Sequence, residues 1–136
     1  MKQKKGFTLT ELLATILILA ILIIIAVPNI LTYVEKTKME KLRSTASFLI
    51  DGIEHYAIEH IAELRTSGLI EFTILDYKFS GGGYQMQGDM PLSGTISITD
   101  DQKVFIAVTD GKYCAKKGVL DKDIDVSTDL DGCGIY

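Results

Sequence analysis

Glu11 stands directly in front of Leu12-Leu13-Ala14-Thr15-Ile16-Leu17-Ile18-Leu19-Ala20-Ile21-Leu22-Ile23-Ile24-Ile25-Ala26-Val27, sixteen residues with apolar side chains throughout except Thr15. Such a run is long enough to be a membrane segment, which needs about 20 residues in helical form. A carboxylate at its mouth is costly to leave there, so it marks a functional residue with a partner. Ahead of it come Met1-Lys2-Gln3-Lys4-Lys5-Gly6 and then Phe7-Thr8-Leu9-Thr10. Lys2, Lys4 and Lys5 would hold the N-terminus on the cytoplasmic side.

Two ordinary readings compete. A cleaved secretory peptide has an apolar core of about 7–15 residues and a small-residue cleavage site. Here the core is slightly longer, and Pro28-Asn29-Ile30-Leu31-Thr32-Tyr33 leads straight into charged helical sequence. An uncleaved signal anchor fits the length better. Neither accounts for Glu11.

A third reading does. Lys4-Lys5-Gly6-Phe7-Thr8-Leu9-Thr10-Glu11-Leu12-Leu13, followed by an apolar helix with Pro28 near its end, resembles the type IV pilin family, which includes pseudopilins of type II secretion and competence pilins. The resemblance covers about the first 33 residues. It implies cutting between Gly6 and Phe7 by a prepilin peptidase on the cytoplasmic side, and N-methylation of Phe7. It also implies that Glu11 meets the Phe7 amine of a neighbouring subunit during assembly. Phe7 and Glu11 are four residues apart, so within one helix they would share a face. Where many family members carry a glycine midway along the segment, this chain has Ala20, and no glycine lies between Gly6 and Gly52. Glycine costs a helix about 1 kcal/mol relative to alanine. Local melting in a filament is therefore expected only just before Pro28, which lacks a backbone donor.

From Leu42 the apolar residues Leu42, Ala46, Leu49, Ile50, Ile53, Ala57, Ile61 and Leu64 fall within an arc of about 120° on a helix, the pattern of an amphipathic packing face. Thr66-Ser67-Gly68 stops it. Phe48 and Ile58 fall on the charged face, as scattered surface hydrophobes or as contacts to adjacent subunits. His60 lies on the apolar stripe and reads as a core histidine. His55 and Glu59 are too few to specify a metal.

The remainder reads as antiparallel β structure. Thr95–Thr99, Lys103–Thr109 and Lys112–Lys116 are expected strands, with turns at Asp100-Asp101-Gln102 and Asp110-Gly111. Leu69 to Phe79 is ambiguous. Three strands with one apolar face can cover the helical stripe, giving an α+β layer. Pro91-Leu92-Ser93-Gly94 and Gly111-Lys112-Tyr113-Cys114-Ala115-Lys116-Lys117 also resemble pilins of Gram-positive bacteria. Type IV pilins often close a C-terminal loop with a disulfide, and Cys114 and Cys133 are the only cysteines. An exported pair suggests a bond, with two free thiols as the alternative. Asp121, Asp123, Asp125, Asp129 and Asp131 lack the glycine and glutamate of a calcium loop, Val126 and Gly132 standing in those places. They read as a solvated, irregular tail.

The expected plan is a leader at 1–6, a membrane and filament-core helix at 7–31, its amphipathic half at 32–66, and a β head at 67–136. Fold class is α+β: a long N-terminal helix packed on a small antiparallel sheet. The net charge is −4, and without the leader it is −7, from 11 basic and 18 acidic side chains. That balance argues against direct nucleic-acid binding. No nucleophile motif is present, and Gly81-Gly82-Gly83 is not followed by the lysine and hydroxyl residue of a phosphate loop. Neither an enzyme, a cofactor nor a metal site is expected.

The expected role is a structural filament subunit serving adhesion, motility or surface attachment. Its partners would be further copies and related pilins, prepilin peptidase, an inner assembly platform and, before assembly, membrane lipid. It would sit in the cytoplasmic membrane first and on the cell surface afterwards. The alternatives are a pseudopilin or competence pilin of a secretion or DNA-uptake machine, and a monomeric membrane-anchored binding module.

Overall fold

The structure is a computed structural model that describes residues 6–81 and 88–133. The leader residues Met1–Lys5, and Gly82 and Gly83 of the glycine turn, lie outside the described residues. Helix α1 runs Leu9–Glu59 and a short helix α2 runs Ile61–Ser67. Six strands follow: β1 Leu69–Leu75, β2 Lys78–Ser80, β3 Ser93–Thr99, β4 Val104–Thr109, β5 Cys114–Lys117 and β6 Asp125–Ser127. The chain divides into two compact units, at Met1–Thr37 and Lys38–Tyr136.

The first unit is helix α1 up to Thr37. Every described residue from 6 to 38 is exposed. This α1 stretch is long and apolar enough to cross a membrane. Short polar side chains bond back to its own carbonyls: Thr15 to Leu12 at 2.8 Å, Thr32 to Pro28 at 3.2 Å and Thr37 to Tyr33 at 2.9 Å. Their hydroxyls are thereby satisfied without a partner outside the helix, as an apolar surrounding requires.

The second unit is an α+β layer. Leu42, Ala46, Leu49, Ile50, Ile53, Tyr56 and Ala57 of α1 are buried, at spacings of three and four. Against them lie Phe72 and Ile74 of β1, Ile96 and Ile98 of β3, Val104, Ile106 and Val108 of β4, Ala115 of β5 and Val126 of β6. The Tyr56 ring meets Phe72 edge-on at 5.4 Å, and Phe72 stacks on Phe79 at 5.2 Å. Aromatic pairs in these geometries add roughly 0.5–1.5 kcal/mol beyond area burial.

The sheet is antiparallel throughout, in the order β2-β1-β3-β4-β5-β6. Cross-strand partners share a face. Ile74–Gly94–Val108–Ala115–Val126 is one row beneath the helix, and Leu75–Ser93–Thr109–Cys114–Ser127 is the neighbouring row on the opposite face.

The structure corrects several expectations. The sheet has six strands where three were expected. The ambiguous segment forms β1 and β2, and the aspartate-rich tail contributes β6, whose Val126 enters the core. Lys112 and Tyr113 belong to a turn rather than to β5. Asp110 Oδ1 accepts the Lys112 and Tyr113 amides at 2.9 and 2.8 Å, and Thr109 Oγ1 donates to the Tyr113 carbonyl at 2.7 Å. The β4–β5 connection is therefore a four-residue loop, Asp110–Tyr113, in place of a two-residue Asp-Gly hairpin. The helix is also interrupted at His60. Its ring stacks on Tyr56 at 4.0 Å and its Nδ1 lies 3.0 Å from the Tyr56 carbonyl. After this break Ile61 turns out to solvent, while Leu64 is fully buried. Tyr56 takes a place on the stripe that the sequence pattern had not assigned. Gly68 ends α2 in the left-handed region, at φ 74°, with its amide on the Leu64 carbonyl. This is a conformation that glycine adopts without a Cβ penalty.

Candidate functional site

The start of α1 is chemically the densest part of the first unit. Thr8 occupies the N-cap position and Glu11 the third helical position. Thr8 Oγ1 accepts the Glu11 amide at 3.3 Å and donates to Glu11 Oε2 at 2.9 Å. Glu11 Oε2 also accepts the Thr8 amide at 2.9 Å. This is a reciprocal capping box: two amides that a helix N-terminus would leave bare are satisfied by side chains. The acid also sits where the helix dipole favours negative charge.

The box changes the expected geometry. Thr8 closes the helix, so Phe7 lies outside it and does not share a helical face with Glu11. Phe7 is 84 % exposed, and Gly6 and Phe7 are non-helical backbone. Within one chain Glu11 is thus partnered by Thr8. The Thr-x-x-Glu spacing is the signal in the sequence that announces this, whereas the resemblance assigned Glu11 only a partner in another subunit.

Pro28 lies inside α1, and the helix continues through it. The Ile24 carbonyl, four residues earlier, has no N–H to accept there. The Asn29 side-chain amide donates to the next carbonyl, Ile25, at 3.4 Å.

Cys114 and Cys133 are bonded, with Cα atoms 5.9 Å apart. They lie on the face of the sheet opposite the helix and form a second buried cluster with Ala107, flanked by Leu130. The Lys116 ammonium donates to the Asp131 carbonyl across the same loop. The tail is therefore held twice, by β6 at the sheet edge and by the disulfide over β4 and β5. Among the described residues, no three metal-ligating side chains gather. Two of the tail aspartates are occupied locally. Asp121 accepts the Gly118 amide at 2.8 Å, and Asp129 accepts the Asp131 amide at 3.0 Å. Phe48 and Ile58 are 54 % and 60 % exposed.

A capped acid heading an exposed apolar helix, together with an α+β unit closed by a C-terminal disulfide, makes a pilin-like α+β fold. Residues 1–27 match the family model for the prokaryotic N-terminal methylation motif, the signature of type IV prepilins and pseudopilins. That motif marks a structural class and not an enzyme family, and it fits a membrane-anchored precursor later built into a filament. No curated protein and no solved structure matches the chain.

Proposed function

We propose that this chain is a prepilin whose mature form is a structural subunit of a type IV pilus or a closely related surface filament. The observation that carries the reading is the placement of Glu11 at the head of an α1 segment in which no described residue from 6 to 38 is buried. An apolar surface of that extent is stable in lipid, or among copies of itself, and not in water. The leader is removed between Gly6 and Phe7, Phe7 is methylated, and the N-terminus faces the cytoplasm before assembly. During assembly Glu11 exchanges its contacts with Thr8 for the Phe7 amine of the next subunit, which sets the axial register. Any loosening of the packed helix is confined to the turn before Pro28, where one backbone bond is already missing. The second unit faces outward, and its excess of carboxylates does not suit it to holding nucleic acid directly.

Intact-mass analysis of surface filaments tests this. The expected chain begins at methylated Phe7. Filament-free cells holding only full-length chain, or a chain cut after Val27 or beyond, would overturn the assignment.

A further inference from the structure

An aspartate followed by glycine can attack itself. The glycine carries no side chain to keep its amide nitrogen from the carboxyl group of the residue before it. The chain holds three such pairs, Asp51-Gly52, Asp110-Gly111 and Asp131-Gly132, and the fold treats them differently.

Two are locked. Asp51 and Gly52 lie inside α1, where the glycine amide is spent on the carbonyl four residues back. Asp110-Gly111, in the β4–β5 loop, is tied at both reacting groups. The Gly111 amide donates to Thr109 Oγ1 at 2.9 Å, and Asp110 Oδ1 accepts the Lys112 and Tyr113 amides at 2.9 and 2.8 Å.

The third is open. Asp131 and Gly132 are exposed and lie in a turn, which the Cys133 amide closes on the Leu130 carbonyl at 3.1 Å. The Asp131 amide donates to Asp129 Oδ1 at 3.0 Å. Neither the Asp131 carboxylate nor the Gly132 amide has a hydrogen-bond partner among the described residues. The peptide unit between them is also polarised, because the Lys116 ammonium donates to the Asp131 carbonyl oxygen. When the Gly132 nitrogen loses its proton, negative charge spreads onto that same oxygen, where a cation stabilises it.

We propose that Asp131 is a site of spontaneous isoaspartate formation, promoted by Lys116. The Gly132 nitrogen bonds to the Asp131 side-chain carboxyl carbon, and one carboxyl oxygen leaves as water, carrying the amide proton and the carboxyl proton. Water then adds to the former main-chain carbonyl carbon of the five-membered imide. That carbon's bond to the Gly132 nitrogen breaks, the nitrogen regains a proton, and a free carboxyl group is left. No oxidant or reductant is needed, and the mass is unchanged. The new carboxylate forms on the carbon whose oxygen Lys116 already contacts, so the product gains an ion pair. The main chain gains one methylene just ahead of Cys133, inside the turn that leads into the disulfide. This goes beyond the filament reading and does not depend on it, because the site lies wholly within the second unit.

Ageing the full-length chain in detergent micelles tests it, in mildly acidic water enriched in oxygen-18. Each passage through the imide takes up one labelled oxygen, and electron-transfer fragmentation of the digested chain places the label and the isoaspartate. Asp131 should gain label at least tenfold faster than Asp51 and Asp110. In denatured chain all three should label at similar rates, since the fold alone sets them apart. Asp131→Glu should abolish the tail label with an unchanged melting temperature, because glutamate would have to close a larger ring. Lys116→Arg should keep the rate and Lys116→Met should lower it severalfold. Were Lys116 merely holding the turn still, its loss would speed the reaction, so an equal or faster rate in Lys116→Met removes the lysine from the mechanism. Native chain that labels all three aspartates alike, or that leaves Asp131 unlabelled while denatured chain reacts, overturns the proposal.

Discussion

Gly94 in β3 lies so close to Val108 in β4 that a Cβ built on it would stand 2.6 Å from the Val108 Cα. Its φ is 152°, and the two nearest obstructing atoms, the Ala107 carbonyl oxygen and the Val108 Cα, are backbone, which cannot swing aside. Gly94→Ala should therefore part the two central strands of the sheet. The expected loss is about 1–3 kcal/mol, in line with overpacking in a tight core, read as a lower melting temperature of the second unit. A melting temperature equal to wild type would mean that the strands move apart freely here.

Glu11→Ala should leave membrane insertion and the second unit's folding intact, because it removes a polar group from an apolar segment. A strain making only this variant should lack filaments. Thr8→Val provides the contrast: it removes the hydroxyl from the box, keeps the residue 8 amide that also donates to Glu11, and leaves the carboxylate for a neighbour, so filaments should still form. Electron microscopy of both strains decides the matter, and normal filaments from Glu11→Ala would sink the pairing role.

A chain beginning near Lys36 keeps the α1 packing stripe and should be a soluble, acidic monomer with no reactive thiols under denaturing, oxidising conditions. Reduction should cost about 3 kcal/mol, the value for a loop of this length. Because β6 pairs with β5 and Val126 is in the core, reduction should loosen mainly the residues beyond Ser127, and hydrogen exchange should rise there before it rises in β5. Early exchange across β6 would show that the disulfide alone holds the tail.

The Lys41–Asp89 bridge predicts a modest pH dependence. The lysine ammonium holds the Asp89 carboxyl below its ordinary value, and the carboxylate holds Lys41 above its own. Asp89's contribution is thus present above the usual carboxylate range and lost as pH falls through its lowered value. Lys41's contribution is present below the usual lysine value and lost as pH rises through its raised one. Both groups are exposed, so the effect should shrink with salt. Thermal melts of Asp89→Asn should show a flatter acid limb than wild type, and identical limbs would dismiss the bridge as a contributor.

The parts of this molecule legible from sequence were those with long periods or rare chemistry. The acid before an apolar run, the 42–64 stripe and the two cysteines each stand out against any background. The segment Leu69–Leu75 does alternate, with Ile70, Phe72 and Ile74 turned inward. Its outward Leu69 and Leu75 are apolar too, however, and blur the period of two on which strand recognition rests. Strand β6 is three residues long with one buried side chain, Val126, too short to display any period. The break at His60 coincides with its ring stacking on Tyr56, and no local turn residue announces it.

The capping box has a consequence for proteolysis. A peptidase binds its substrate as extended chain, since a helical peptide bond is shielded by its own turn. By closing α1 at Thr8, the box leaves the Gly6–Phe7 bond outside the helix and its carbonyl open to attack. Were Thr8 replaced by a strong helix former, the first turn could creep backward over Phe7 and draw the scissile bond into regular structure. The threonine would then govern the rate of the proposed leader removal as well as the partners of Glu11, and the cut and the acid's resting state would answer to one residue.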